Sequence, residues 1–286
     1  MNRVGDYLME LKAIVLDIDG TLLNEEKIIS TRTKDKLIEA QKKGIKVVLA
    51  SGRPTQGMIP LAEELEMDKY EGFLVSYNGS QVYDVKTNEV LFNQAIPTNL
   101  ANDILKYLSD FDVVPMVDHG EQMYVNNAFF DIGYEVPTGH INIVHYEVRG
   151  GNFKVCEVDD FSTVIKEPVN KILVAGNPDY LQKHYEAMCA PFEKSTTAAF
   201  SAPFYFEYTD QGIDKAKALG EVFPDMGILP ENTVSFGDGQ NDRSIIEYAG
   251  IGVAMGNAVQ EILDIADEVT TSNAEDGIAS FLDQFF

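Results

Sequence analysis

Tryptophan is absent from this 286-residue chain, cysteine occurs twice and histidine four times. Cys156 and Cys189 form no CxxC pair and no zinc-ligand spacing; two cysteines formally allow one disulfide, and the expectation is two ordinary buried thiols. His119, His140, His145 and His184 are scattered without pair spacing, which reads as surface or core histidine rather than metal ligation. No apolar run approaches the ~20 residues that a membrane-spanning helix needs. The first ten residues carry Asp6 and Glu10 and lack the apolar stretch of a signal peptide, so a cytoplasmic protein is expected. Cations are also scarce: 22 Lys and Arg stand against 46 Asp and Glu, a net charge of -24. That balance argues against nucleic acid, whose binding relies on cations neutralising phosphates, and against anionic membrane surfaces. A small phosphorylated ligand stays possible. Charges beyond about 8 Å are largely screened at physiological salt, so a few local cations can govern a site.

What the chain does have is a globular composition, 45% hydrophobic and 24% charged. Its length is near the size at which one core divides into two. Ala13 to Leu16 is a short continuous apolar run, as in a strand buried on both faces, and it ends in Asp17-Ile18-Asp19-Gly20-Thr21. A helix is expected from Thr31 to Lys43, with Gly44 as its C-terminal stop. A second strand, Ile45 to Ala50, ends in Ser51-Gly52-Arg53-Pro54. A helix from Gln56 to Met67 and a third strand, Phe73 to Ser76, ending in Tyr77-Asn78-Gly79, complete the repeat. Alternation of strand and helix predicts a doubly wound α/β core with a parallel sheet and right-handed crossovers.

The pattern changes from about residue 84 to 209, where short hairpins mix with helices. This stretch reads as an inserted α+β domain, leaving 1–83 and 210–286 as a discontinuous core. The parallel pattern resumes with a helix from Lys215 to Val222 and a strand, Val234 to Phe236, ending in Gly237-Asp238-Gly239-Gln240-Asn241-Asp242. Ile251 to Met255 is a further strand, and Ile278 to Phe286 a closing amphipathic helix. Gly250-Ile251-Gly252 has the wrong spacing for a dinucleotide fingerprint and reads as turns.

Three strand ends therefore carry polar clusters: Asp17 with Asp19, Ser51 with Arg53, and Asp238 with Asp242. In open parallel sheets, ligands bind beyond the carboxyl ends of the strands. Gathered carboxylates repel and raise one another's pKa values unless a cation relieves them. Oxygen ligands favour magnesium, which takes one or two carboxylates and accepts phosphate oxygens. Calcium fits less well, because Asp17-x-Asp19-Gly20 lacks the glycine position and terminal Glu of an EF-hand loop. Ser51, Lys215 and backbone N–H groups beside Gly20 and Gly52 can satisfy a phosphoryl group, whose transfer needs mainly positioning and charge stabilisation.

The chain resembles the haloacid dehalogenase superfamily, specifically its Cof-type phosphatases with a large α/β cap. The matching stretches are Asp17-Ile18-Asp19-Gly20-Thr21-Leu22-Leu23, Ala50-Ser51-Gly52-Arg53, Asn78-Gly79, Gly212-x-x-Lys215 and Gly237-Asp238-Gly239-x-Asn241-Asp242. They span most of the chain in the family's order. The resemblance implies a Rossmann-like catalytic core and a cap formed by the insertion. It implies that Asp17 is the nucleophile and also binds Mg2+. It implies that Asp19 is general acid then general base, with its backbone carbonyl on the metal. Ser51 and Lys215 would hold the phosphoryl group, and Asn241 would assist Lys215. Asp238 would bind the metal, supported by Asp242 directly or through water. Arg53 and Asn78 fall where substrate contacts are plausible.

The expected activity is magnesium-dependent hydrolysis of small phosphate monoesters, a sugar phosphate or related metabolite. Two other readings stand beside it: phosphoryl transfer to a second sugar, and ligand sensing without turnover. The pairing of Asp17 with Asp19 disfavours sensing, and Asp19 favours phosphoryl chemistry over dehalogenation, which has no leaving alkoxide to protonate. Monomer and homodimer both remain open.

Overall fold

The computed structural model describes residues 2–4, 7–133, 135–136, 139–140 and 142–286. Asp6 and the His140 side chain lie outside this description. The chain divides into two compact units, Met1–Asn93 with Asp214–Phe286, and Gln94–Ile213.

The first unit is built on an eight-stranded sheet. Its spatial order is Glu268–Val269, Ile251–Ala254, Thr233–Gly237, Ala13–Leu16, Lys46–Ala50, Phe73–Ser76, Gln81–Asp84 and Glu89–Asn93. The first six strands are parallel, and the last two form an antiparallel hairpin on the edge. Side chains alternate between two cores, because successive residues of a strand point to opposite faces. Ile14, Leu16, Val47, Leu49, Leu74, Val234, Phe236 and Val253 pack with Leu37, Met58, Ile278 and Phe281 from helices on one face. Ala13, Val15, Val48, Ala50, Phe73 and Val75 pack with Ala218, Leu219 and Ile245 from helices on the other. This explains the unbroken apolar runs: a central strand here has no solvent face. The doubly wound α/β expectation holds, with the sheet's carboxyl ends gathered at one pole.

Local signals set the element ends. Ser30 caps the helix Thr31–Lys42 by accepting the Thr33 N–H, and Asp214 caps Lys215–Val222 by accepting the Lys217 N–H. Gly44, at φ +85°, turns the chain out of the first of these helices. The expected helix from Gln56 to Met67 is two pieces, Thr55–Glu64 and Met67–Tyr70, with Glu66 in the left-handed region between them. The closing helix is shorter than expected, Gly277–Leu282. The hairpin Gln81–Asp84 and Glu89–Asn93 belongs with the parallel sheet, so the units divide after Asn93 and Ile213. The expected boundaries at 83/84 and 209/210 cut through or near these elements. The reason is pairing: Phe73–Ser76 pairs with Gln81–Asp84 along its whole length, and Val82 is buried against the sheet's second core.

The inserted unit has a six-stranded sheet in the order Lys154–Glu157, Gln122–Val125, Val114–His119, Ile172–Ala175, Tyr205–Asp210 and Thr196–Ala202. All neighbours are antiparallel except Lys154–Glu157 with Gln122–Val125. Helices Thr98–Leu108 and Pro178–Cys189 cover one face through Ile104, Leu105, Leu108, Leu181 and Met188. Helix Ile143–Gly150 packs on the other face through Ile143 and Val144. Among the described residues, no helix is long and apolar enough to cross a membrane.

Candidate active site

Four parallel strands of the first unit deliver their following residues to the same pole. Ala13–Leu16 is the centre, and its ladder continues through the Asp17 N–H to the Phe236 carbonyl at 3.1 Å. The chain then coils tightly: the Leu22 N–H reaches the Asp17 carbonyl and the Leu23 N–H the Ile18 carbonyl. Gly20 sits at φ +87°, and a Cβ there would lie 2.3 Å from Asp238 Oδ2. Only glycine lets this turn press against the neighbouring strand's carboxylate. The Thr21 hydroxyl donates to Asp238 Oδ1 at 2.7 Å, locking the two strand ends together.

Lys215 opens its helix and is 1% exposed. Its position depends on Gly79, where a Cβ would come within 2.1 Å of the Asp214 carbonyl oxygen. The bare backbone lets the loop after the third strand touch the helix start. From there the Lys215 ammonium donates to Asp17 Oδ1 at 2.7 Å and to Asp242 Oδ1 at 2.6 Å. The other Asp242 oxygen accepts the N–H groups of Asp238 and Gly239, each at 2.9 Å. Asp242 thus spans the lysine and the loop that carries Asp238. Carboxylate oxygens of Asp17, Asp238 and Asp242 lie within 4.8 Å of one another.

Electrostatics follow from this crowding. Burial lifts the Asp17 carboxyl, Lys215 partly offsets it, and Asp242 adds to it, bringing it up to about 7. Burial also raises Asp238, with the Thr21 hydrogen bond opposing and Asp242 reinforcing. For Lys215, burial disfavours the charge, but Asp17 and Asp242 outweigh it and hold the ammonium above the ordinary lysine value. Three acidic groups and one cation leave an excess of negative charge that a divalent ion relieves.

Asp19 is in a different setting. Arg53 grips it with two bonds of 2.8 Å, and Lys27 adds a third at 3.1 Å. Burial pushes this carboxyl up, but Arg53 and then Lys27 outweigh it and keep it below the usual carboxylate value. Ser51 is buried, its hydroxyl accepting the Arg53 N–H at 3.2 Å. Asn78 lies in the left-handed region, and its side-chain carbonyl accepts from the Asn241 amide at 3.2 Å. A Cβ on Gly52 would stand 3.0 Å from the Asn78 amide, so the second and third strand ends also meet closely.

All eleven residues singled out from the sequence fall at this pole. Within the site the Asn241 amide donates to Asn78, while Lys215 donates to Asp17 and Asp242. Three further residues, to which the sequence alone assigns no role, join the site. Thr21 joins Asp238, Lys27 joins Asp19, and the Asn257 amide donates to the Gly20 carbonyl at 2.8 Å. Asn257 had a signal, since it is a polar residue just past the buried strand Ile251–Ala254. Lys27 had none, because it comes from an exposed turn.

Comparison with known proteins gives a consistent picture. The family model of haloacid dehalogenase-like hydrolases matches residues 14–282. The 5-amino-6-(5-phospho-D-ribitylamino)uracil phosphatase YcsE of Bacillus subtilis (strain 168) is 31% identical over 271 residues, covering 95% of this chain and 94% of its own. The pyridoxal phosphate phosphatase YbhA of Escherichia coli (strain K12) is 28% identical over 284 residues, covering 96% and 98%. A crystal structure of a haloacid dehalogenase-like hydrolase from Bacteroides thetaiotaomicron superposes with a TM-score of 0.88 at 34% identity, covering 96% of this chain and all of that one.

Proposed function

Because the chain belongs to the haloacid dehalogenase-like hydrolase family and is a phosphatase, we propose that it hydrolyses small phosphate monoesters through a phosphorylated Asp17. The substrate is a sugar phosphate or related metabolite, the metal is magnesium, and the inserted unit serves as the cap. The observation that carries this is the buried Asp17 carboxylate, bonded to Lys215, beside Asp238 and Asp242 and two residues from Asp19.

The donor set fits magnesium: hard carboxylate oxygens, few in number, at a site with excess negative charge. Asp17, Asp238 and the Asp19 backbone carbonyl would hold it, with Asp242 supporting directly or through water. Bound there, magnesium neutralises charge on carboxylate and phosphoryl oxygens during in-line displacement.

The residues then divide the work. An Asp17 oxygen attacks phosphorus, forming an acyl phosphate as the bond to the leaving oxygen breaks. Asp19 gives that oxygen its proton, then takes one from the water that attacks the phosphorus of the acyl phosphate. This second displacement frees Asp17 and inorganic phosphate. To do so Asp19 must exchange Arg53 and Lys27 for substrate and take up a proton from solvent, since both its oxygens are held and its carboxyl is ionised in the resting site. Lys215, Ser51 and N–H groups beside Gly20 and Gly52 steady the phosphoryl oxygens. Arg53, Asn78 and Asn241 supply further contacts around them. The two named relatives act on a ribityl phosphate and on pyridoxal phosphate, unlike bodies with a common head, which supports a small phosphorylated metabolite as the class.

The test is phosphate release from sugar phosphates, nucleotides and cofactor phosphates with magnesium, with a chelator, and with Asp17→Asn. Release that requires both the metal and Asp17 is expected. Release that survives Asp17→Asn would sink the covalent route.

A further inference from the structure

The three strands that end in Asp17, Ser51 and Asn78 also share a feature at their opposite ends. A cavity of about 510 Å³ opens there, among Lys12, Lys46, Glu71, Phe73, Lys86 and Ile228. Lys12 immediately precedes the central strand, while Lys46 and Phe73 begin the next two. Four residues of extended chain lie between Lys12 and Asp17, so the two are five steps apart, about 16 Å at ~3.3 Å per residue. The cavity is therefore distinct from the phosphate site. Its size lies within the range of roughly 300–1,000 Å³ typical of small-molecule sites.

Its lining is unusual for this chain. Three of the 22 cationic side chains meet here in a protein of net charge -24. Two lysines, Lys46 and Lys86, share one carboxylate, that of Glu71. The hydrogen bonds to Lys46 and Lys86 pull the Glu71 carboxyl down to about 2. An ammonium has three donors, and Glu71 takes one from each lysine. Lys12 reaches the Gly227 carbonyl at 3.0 Å. The second acid on the wall, Asp84, is turned to the backbone, where one of its oxygens accepts the N–H groups of Lys86 and Thr87. Phe73 and Ile228, both 3% exposed, supply apolar wall. Three lysines against two acids, beside an apolar wall, suit a small organic anion with a carboxylate- or phosphate-sized head and an apolar body.

We propose that this cavity is a second ligand site, for a small amphipathic organic anion whose head takes the place of Glu71 on Lys46 and Lys86. Glu71 acts as the built-in competitor. Removing its charge strengthens binding, and removing the lysines weakens it. A cluster serving only to tie Lys46 and Lys86 to Glu71 has no such pair of opposite effects.

The experiment is calorimetric titration of the full chain, in chelator, with 2-naphthoate and with its neutral counterpart 2-naphthamide. Saturable one-to-one binding of 2-naphthoate is expected, at least about tenfold tighter than that of the amide, roughly 1.4 kcal/mol. Lys46→Ala/Lys86→Ala weakens it by about tenfold or more, Glu71→Gln tightens it by about threefold or more, and Asp17→Asn leaves it unchanged. The Asp17→Asn arm separates failure of this site from failure of the phosphatase reading. If the double variant does not fold, Lys12→Ala and Glu71→Gln decide the matter by the same directions. No saturable binding to the wild type, equal affinity for the amide, or a Glu71→Gln variant that binds no more tightly overturns the proposal.

Discussion

Replacing Asp17 by Asn separates what the active site does for catalysis from what it costs the fold. In the metal-free protein the Asp17 carboxyl is raised from 3.8 to about 7, first by burial and then by Asp242 against the pull of Lys215. A folded-state value above the unfolded one means that folding takes up a proton in the window between them. The stabilising balance is complete below about pH 4 and drains away as pH rises through about 7. Three pKa units at 1.36 kcal/mol each come to about 4 kcal/mol lost near pH 8, and less than about 1 kcal/mol near pH 4. Asn at the same position keeps an oxygen for the Lys215 ammonium and carries no proton to lose. In chelator near pH 8, Asp17→Asn should therefore be more stable than the wild type by a few kcal/mol, and near pH 4 the two should almost coincide. Urea denaturation followed by circular dichroism at several pH values reads this directly. Magnesium should then raise the wild type and leave the variant little changed, because the variant has lost one of the three carboxylates. Turnover should fall by a factor on the order of 10⁴ or more, as when a covalent nucleophile is removed. A variant less stable than the wild type near pH 8, or a stability gap that does not vary with pH, would refute the reasoning.

The remaining predictions concern single side chains. Asp19→Asn should lower kcat by about 10²–10⁴ with little change in the magnesium needed for half-activity, whereas Asp238→Asn should raise that magnesium requirement; steady-state rates across a metal titration distinguish them. In the inserted unit, Lys171 is buried and bonded to Glu207 at 3.2 Å. Lys171→Met should cost about 3–5 kcal/mol by leaving a carboxylate without its cation, and Lys171→Met/Glu207→Met should recover most of it, as read by urea midpoints. Glu71, held down by Lys46 and Lys86, contributes stability above its ordinary 4.5 that is lost as pH falls towards 2. Glu71→Gln should be the less stable protein near neutrality and lose its disadvantage in acid, measured by the same denaturation series.

Legibility followed the number of faces an element buries. Ala13–Leu16, Lys46–Ala50 and Phe73–Ser76 are buried at almost every position, so the sequence shows them as apolar runs whose polar sequels stand out. That contrast marked Asp17, Ser51 and Asn78 without any knowledge of the packing. The inserted unit offers no such contrast. Its edge strand Lys154–Glu157 is exposed at three of four positions, and Thr196–Ala202 is also largely open, so neither differs in pattern from a loop. Nothing local in the sequence assigns the hairpin Gln81–Asp84 and Glu89–Asn93 to the parallel sheet. Its outer strand is mostly exposed, and only pairing to Phe73–Ser76 assigns it. Contacts between side chains distant in sequence were the least legible. Nothing local says that the Asn241 amide meets Asn78, or that Lys27 closes on Asp19. Glycine is the exception that proves informative: Gly20 and Gly79 stand where a Cβ would strike Asp238 and Asp214. A glycine just past a strand end thus reports a close approach, and here two of them set how closely Asp238 and Lys215 approach the turn after Asp17.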